Sequence, residues 1–199
     1  MELSDIIELH YIAPMVNLPS IFTKGILCHK LVSKIEHTSI ALKDVQEKRA
    51  NKIVPGGKPL HEYVNLYINA RNPMMYRRSD RVNEICVLSI SKEVLNLEGV
   101  IIADRNATSD CIFAPSPSGL IYVDGSVIKS VSWNDPDIIE KYRKRLIMCA
   151  EVLIPNSLSA NFINKIYVVN EAIKNNLENV LTNININNVI EVKPLLFFR

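Results

Sequence analysis

Glycine is scarce: six residues in a chain of 199, too few for a glycine-rich linker protein. The four cysteines, Cys28, Cys86, Cys111 and Cys149, lie far apart and form no CxxC pair, so no metal site is expected. Cys86 and Cys149 sit within apolar runs and read as small buried thiols. No apolar run approaches the roughly 20 residues needed to span a bilayer. The opening MELSDIIELHY has no basic segment leading into a long apolar stretch, so a soluble, cytoplasmic protein without a membrane partner is the expectation. Neither GxGxxG nor GxxxxGKS/T occurs, which argues against a Rossmann dinucleotide domain and a P-loop nucleotidase. Charge of neither sign predominates, with 23 Lys and Arg against 21 Asp and Glu. Any hold on phosphates must therefore come from local clusters.

What is present suffices for a folded unit. Hydrophobic residues make up 48% of the chain, and this length buries a full core as one domain over residues 1–199. Pro19 fits the first turn of a short helix and Gly25 its exit. Residues 39–51 have helical spacing, with Asp44 and Lys48 as the local ion pair. Leu60 to Ala70 is expected to be a helix, because Tyr63, Leu66, Tyr67 and Ala70 recur on nearly one face. Strands are expected at ICVLSIS, LEGVIIAD, GLIYVDG, LIMCAEVLIP and NKIYVVN, with a charged helix over Asp137 to Lys144. In the asparagine-rich tail, Leu177, Val180, Leu181 and Ile184 form an apolar face, and VIEVKPLLFFR docks as an edge strand. Helices early and strands late favour a mixed α+β domain over a regular βαβ alternation.

Val54 to Tyr76 is the most informative stretch. Gly56, Gly57, Pro55, Pro59 and Pro73 shape its backbone, and Arg71, Arg77, Arg78 and Arg81 surround Met74 and Met75. A second basic cluster comprises Lys141, Arg143, Lys144 and Arg145. Both bordering one cleft would suit a phosphate backbone, with Tyr63, Tyr67, Tyr76 or Trp133 for stacking. Glu151 interrupts an apolar run, where a carboxylate is costly to bury without a partner. It either decorates a solvated strand face or serves a site. Arg49 is a solvated helix charge or a clamp for phosphate or carboxylate. His10 and Asn17 are each structural or ligand-binding.

These residues carry a resemblance. LHYIAPMVNLPSIFTKGIL, IALKDVQEKRANKIVPGGKPLHEYVNLYINARNPMMY, VIIADRNATSD and CAEVLIP are similar, in order, to the DarT family of DNA ADP-ribosyltransferase toxins, and PLLFFR resembles the family's closing strand. The resemblance implies an ADP-ribosyltransferase-like α+β fold with a mixed, largely antiparallel split β core and early helices. It implies NAD as the donor and a thymine or guanine in single-stranded DNA as the acceptor. It maps the catalytic glutamate to Glu151 and the family arginine to Arg49. His10, Asn17, Arg49, Tyr67 and Met75 become cofactor-side positions, although many members carry the early histidine where this chain has Tyr11. A macrodomain antitoxin that reverses the modification is the implied partner. The alternatives are an ADP-ribosyltransferase acting on RNA or protein, a non-enzymatic nucleic-acid-binding module, or an interaction domain.

Overall fold

Apolar runs of period two, spread along the chain, assemble into one sheet whose centre splits. The computed structural model describes residues 1–182, 186 and 188–198. The first third holds β1 (Glu8–Pro14), α1 (Leu18–Lys24), β2 (Ile26–Leu27), α2 (His29–Val32), α3 (Lys43–Ala50) and β3 (Tyr63–Tyr67). Next come α4 (Pro73–Tyr76), β4 (Ile85–Ser91), β5 (Ile101–Ala103), β6 (Phe113–Pro115), α5 (Gly125–Ile128) and α6 (Ile138–Ile147). The rest is β7 (Glu151–Pro155), β8 (Ser157–Leu158), β9 (Ile163–Val168), α7 (Glu171–Thr182) and β10 (Val189–Val192). Eight strands form the sheet in the order β10-β9-β4-β1-β3-β7-β5-β6, while β2 and β8 pair separately. Among the described residues every strand pairing is antiparallel except that of β10 with β9.

The pairing is uneven, and this positions the site. β1 and β4 are in register over seven positions and β3 and β7 over five, whereas β1 and β3 meet at one pair, His10 with Tyr67. The two halves of the sheet are pinned there and diverge beyond it. One face carries Leu9, Leu66, Leu88, Val152 and Ile166, packed with Leu18 and Ile21 of α1 and Leu177 and Leu181 of α7. The other carries Ile12, Tyr67, Val87 and Tyr167, packed with Ile40, Met75 and Phe197. Each such fully buried side chain contributes about 1.5–3 kcal/mol of transfer free energy. At the exit of α1, Gly25 has φ +81°, and an added Cβ would stand 2.5 Å from the Leu158 carbonyl oxygen. Only glycine lets α1 end against β8. Among the described residues no helix is long and apolar enough to cross a membrane.

Several expectations need correction. Leu60 to Ala70 is not a helix: a 3₁₀ turn over Leu60–Glu62 leads into strand β3. YVNLY also has period two, and pairing on both edges, with β1 and β7, overrides the helical spacing. GLIYVDG is a 3₁₀ turn (Ser118–Tyr122) followed by α5, because Asp124 caps that helix by accepting from the Ser126 and Val127 N–H groups. Ile121 and Tyr122 of this run are exposed. Leu146 and Ile147 complete α6, and the following strand begins at Glu151. Asp44 pairs with Arg77 of another element at 3.5 Å, instead of with Lys48 along α3. The strands are spread along the chain, three of the four central ones lying in its first half. The closing edge strand is β10; Pro194–Leu196 after it form a 3₁₀ turn. In the tail Leu177 and Leu181 are buried and Val180 is exposed, while Ile184 lies outside the described residues.

Candidate active site

Four adjacent strands set one residue each into a single row. His10 of β1 is registered with Tyr67 of β3, Tyr67 with Glu151 of β7, and Glu151 with Ala103 of β5. Registered partners point to the same face of a sheet. Glu151 therefore shares a face with His10 and Tyr67, opposite to Val152 and Ile154, which enter the main core.

Glu151 is 1% exposed, and its negative charge is matched from two sides. Arg49 Nη1 donates to Oε2 at 2.9 Å, and the Ala107 backbone N–H donates to Oε1 at 3.1 Å. Arg49 reaches inward from the last turn of α3 and is itself 6% exposed. A buried carboxylate is tolerable only with such pairing. The loop between β5 and β6 is fixed so as to aim Ala107. Asp104 accepts from the Ile112 N–H at 2.8 Å and pairs with Arg105. Asn106 donates its N–H to the Leu146 carbonyl at 3.0 Å, and its side chain accepts from the Thr108 N–H and hydroxyl.

A cavity of about 1100 Å³ opens where the two halves of the sheet part. Tyr11, Ile12 and Asn17 line it from one half, and Tyr67 and Glu151 from the other. Its volume exceeds the roughly 300–1000 Å³ of ordinary small-molecule sites and has room for a dinucleotide. Residues 35 and 37–42, and α3 after them, form much of the remaining wall. Asn17 clasps this segment: its Nδ2 donates to the Thr38 carbonyl at 2.7 Å, and its Oδ1 accepts from the Thr38 N–H at 3.0 Å. Arg78 Nε adds a hydrogen bond of 2.6 Å to the Ile40 carbonyl. Asn17 thus acts on the wall through the backbone that it holds.

Burial, reinforced by the Glu151 charge, pushes the Tyr67 phenol well above its ordinary range. It remains an O–H group at neutral pH. His10 stands at the pin between the half-sheets, with Nε2 3.3 Å from Glu8 Oε1. Glu8 also accepts from the Ser89 hydroxyl and, at 2.8 Å, from the Tyr167 hydroxyl. Burial raises the Glu8 pKa, but hydrogen bonds from His10, Ser89 and Tyr167 outweigh it and hold the group at about 2. The β1 side chains on the cavity wall are Tyr11, Ile12 and Pro14. Met75 is fully buried in the second core cluster, its N–H donated to Asn72, and neighbouring Met74 lines the cavity instead. Its expected cofactor-side position is corrected accordingly.

The two basic clusters do reach one opening, through Arg77 from the first and Arg143 and Arg145 from the second. Arg77 also pairs with Asp44, and Arg143 with Glu140 and Asp124, while most of the other basic residues are engaged elsewhere. Arg71 holds the Leu195 and Phe197 carbonyls and lies 4.0 Å over the Phe198 ring. Arg81 pairs with Glu84 and Lys144 with Asp135. Tyr63 is a core residue whose hydroxyl accepts from the Lys58 N–H, and Tyr76 and Trp133 pack edge-on against each other. Tyr142, which the sequence reading did not select, offers an exposed aromatic ring at the cavity rim. It also missed Ala107, whose contribution is a backbone N–H that no side chain announces.

The geometry agrees with what this chain is similar to. The model of the family described as "ssDNA thymidine ADP-ribosyltransferase, DarT" matches residues 10–198. A DNA ADP-ribosyl transferase–DNA ADP-ribosyl glycohydrolase fusion protein from Thermosipho africanus (strain H17ap60334) is 32% identical over 201 residues. That match takes in 96% of this chain and 49% of the relative, so the chain spans about half the length of that curated relative. A solved structure of Thermus sp. 2.9 DarT in complex with ADP-ribosylated ssDNA superimposes with a TM-score of 0.84 at 22% identity, covering 98% of this chain and 97% of that one. The same protein in complex with NAD+ gives 0.80 at 21% identity, covering 97% and 98%. At those identities the structural likeness establishes the fold.

Proposed function

The chain belongs to the DarT family, and from that membership we propose that it transfers ADP-ribose from NAD to a base of single-stranded DNA. The observation that carries the proposal is the buried Glu151, held by Arg49 and the Ala107 N–H on the wall of a dinucleotide-sized cavity. In the reaction the bond between the ribose anomeric carbon and nicotinamide breaks, and a bond from a base nitrogen forms. The proton of that nitrogen is released. Positive charge builds on the ribose in between, and a fixed carboxylate stabilises it. Glu151 supplies that carboxylate and orients the ribose. Arg49 holds Glu151 in place and, from the cavity wall, offers a bound oxygen its second amino group, Nη2, which has no partner among the described residues. Asn17 keeps the wall over NAD closed by clasping Thr38. His10 and Tyr67 fix the join of the half-sheets beside the nicotinamide end.

A single-stranded substrate suits the site, because the reacting base must leave its stack to enter a pocket. Arg77, Arg143 and Arg145 at the opening attract the phosphates, and the exposed Tyr142 offers a face for a neighbouring base. Thymidine is the acceptor we favour, following the family description. A toxin acting in the cytoplasm on cellular DNA is part of the same reading, as is a macrodomain antitoxin that removes the modification. The fusion of transferase and glycohydrolase in the Thermosipho relative supports that pairing.

The test is incubation with NAD and oligonucleotides that each lack one base, read by intact mass. An ADP-ribose adduct on every single strand containing thymine, and on no strand without it, is expected. Adducts that follow guanine would move the acceptor, and label only on RNA or protein would reject DNA as the substrate.

A further inference from the structure

Ala107 reaches Glu151 from a β-turn. The Ser109 N–H donates to the Asn106 carbonyl at 3.0 Å, so residues 106–109 close on themselves and Ala107 and Thr108 form the bend. The N–H groups of the two central residues take no part in such a closure. That of Thr108 goes to the Asn106 side chain, and that of Ala107 to Glu151 Oε1. The turn aims its N–H only as well as its two ends are held. At the first end, the Asn106 N–H is donated to the Leu146 carbonyl of α6. At the other, Lys52 Nζ donates to the Ser109 carbonyl at 3.0 Å, from 57 positions away in the chain. The same ammonium group stands 5.9 Å from the centre of the Phe113 ring at the start of β6, within the range of a cation–π attraction.

Lys52 lies two residues beyond α3, and its own main chain is fixed on both sides. Its N–H donates to the Arg49 carbonyl at 3.3 Å, and its carbonyl accepts from the Leu60 N–H at 2.9 Å. One short segment therefore serves both oxygens of Glu151. Arg49 meets Oε2 directly, and Lys52 holds the turn whose N–H meets Oε1. A hydrogen bond from an ammonium group is charge-assisted and stronger than one between neutral groups. Without it the turn keeps a single outside anchor, at Asn106, and is free to swing the Ala107 N–H off its line to the carboxylate. Among the described residues the cavity wall includes Arg105, Asn106, Thr108, Ser109 and Asp110 of this loop but not Lys52, so Lys52 acts through the loop and not on a bound molecule. We infer that Lys52 is a positioning residue for the transfer: by holding the Ser109 carbonyl it keeps the Ala107 N–H on Glu151 and the carboxylate fixed where the ribose binds.

This role rests on the reading of the protein as an NAD-dependent transferase, and one of the two measurements that test it is independent of that reading. Lys52→Met keeps much of the side-chain length and removes the donor, whereas Lys52→Arg keeps a cation with donors. Amide hydrogen exchange is followed by NMR without NAD or DNA. In Lys52→Met the Ala107 amide is expected to exchange at least about tenfold faster than in the wild type, while the amide of the fully buried Leu88 in β4 keeps its rate. With NAD and a thymine-containing oligonucleotide, kcat of Lys52→Met is expected to fall about tenfold, with KM for both substrates within about twofold of the wild type. Lys52→Arg is expected to restore most of kcat and of the protection at Ala107. Equal protection of Ala107 in Lys52→Met and the wild type would overturn the inference, whatever the activity. So would a higher KM for the oligonucleotide at unchanged kcat, which would make Lys52 a phosphate contact. Parallel losses of protection at Ala107 and Leu88 would overturn it too, by making Lys52 a general prop of the fold. A wild type that transfers nothing would overturn the transferase reading, while a selective loss of protection at Ala107 would still bear out the hold of Lys52 on the loop.

Discussion

Arg49 and Glu151, 102 positions apart in the chain, meet at 2.9 Å where neither is more than 7% exposed. Each charge is bearable in the interior because of the other, and removal of one strands its partner. That dependence makes the choice of substitution decisive. Glu151→Ala would leave the Arg49 guanidinium and the Ala107 N–H unmatched. We expect a loss of roughly 3 kcal/mol and a fall of roughly 6–12 °C in Tm, so its inactivity would be ambiguous. Glu151→Gln keeps the shape and one acceptor oxygen for the two donors, and should stay folded with a smaller loss, about 1–3 kcal/mol. Transfer by this variant should fall by at least about 100-fold. Thermal melts run beside the oligonucleotide assay check both statements.

Arg49→Lys tests whether position or charge matters. A lysine keeps the charge and has no second planar nitrogen to face a ligand while the first holds Glu151. Turnover should drop by about tenfold or more, with a smaller loss of stability than in Arg49→Ala. Equal turnover of Arg49→Lys and the wild type would mean that only the charge is used.

Asn17→Ala removes both hydrogen bonds that clasp Thr38 and leaves Arg49 and Glu151 untouched. The KM for NAD should rise by about tenfold, with kcat within about twofold of the wild type. A fall confined to kcat would place Asn17 in the chemistry instead of in the wall.

Glu8 gives a pH-dependent prediction. Its folded pKa is about 2, against an ordinary value of 4.5. A carboxylate lowered in the folded state stabilises the protein above its unfolded pKa, and the benefit is lost as pH falls from about 4.5 to about 2. Ser89→Ala and Tyr167→Phe each remove one hydrogen bond to it. Both should reduce stability at pH 7 and shrink the loss between pH 4.5 and pH 2. Urea melts across that range measure the slope. Parallel curves for wild type and variants would show that the network does not hold Glu8 ionised.

The legibility of these parts follows from their chemistry. Glu151 stood out because a carboxylate inside an apolar strand has to be explained. Arg49 did not, because α3 is polar nearly all round and its inward residue is itself charged. Pro19 and Gly25 marked the ends of α1 correctly, since proline at a start and φ > 0 at an exit are local demands. β3 was misread because Tyr63, Leu66, Tyr67 and Ala70 fit helical spacing while YVNLY also alternates. Only the flanking strands decide between them. The split of the sheet, the sharing of one opening by Arg77 and Arg145, and the aim of the Ala107 N–H are tertiary facts without a local signature. Family resemblance supplied the roles of His10 and Met75, and the fold puts Met75 in the core, with Met74 on the cavity wall.

The most direct measurement is the mass of a thymine-containing single-stranded oligonucleotide after incubation with NAD and either wild-type protein or folded Glu151→Gln. The account predicts one ADP-ribose adduct per modified strand with the wild type and at least about 100-fold slower formation with Glu151→Gln. Adduct formation at equal rates by the two proteins would contradict it.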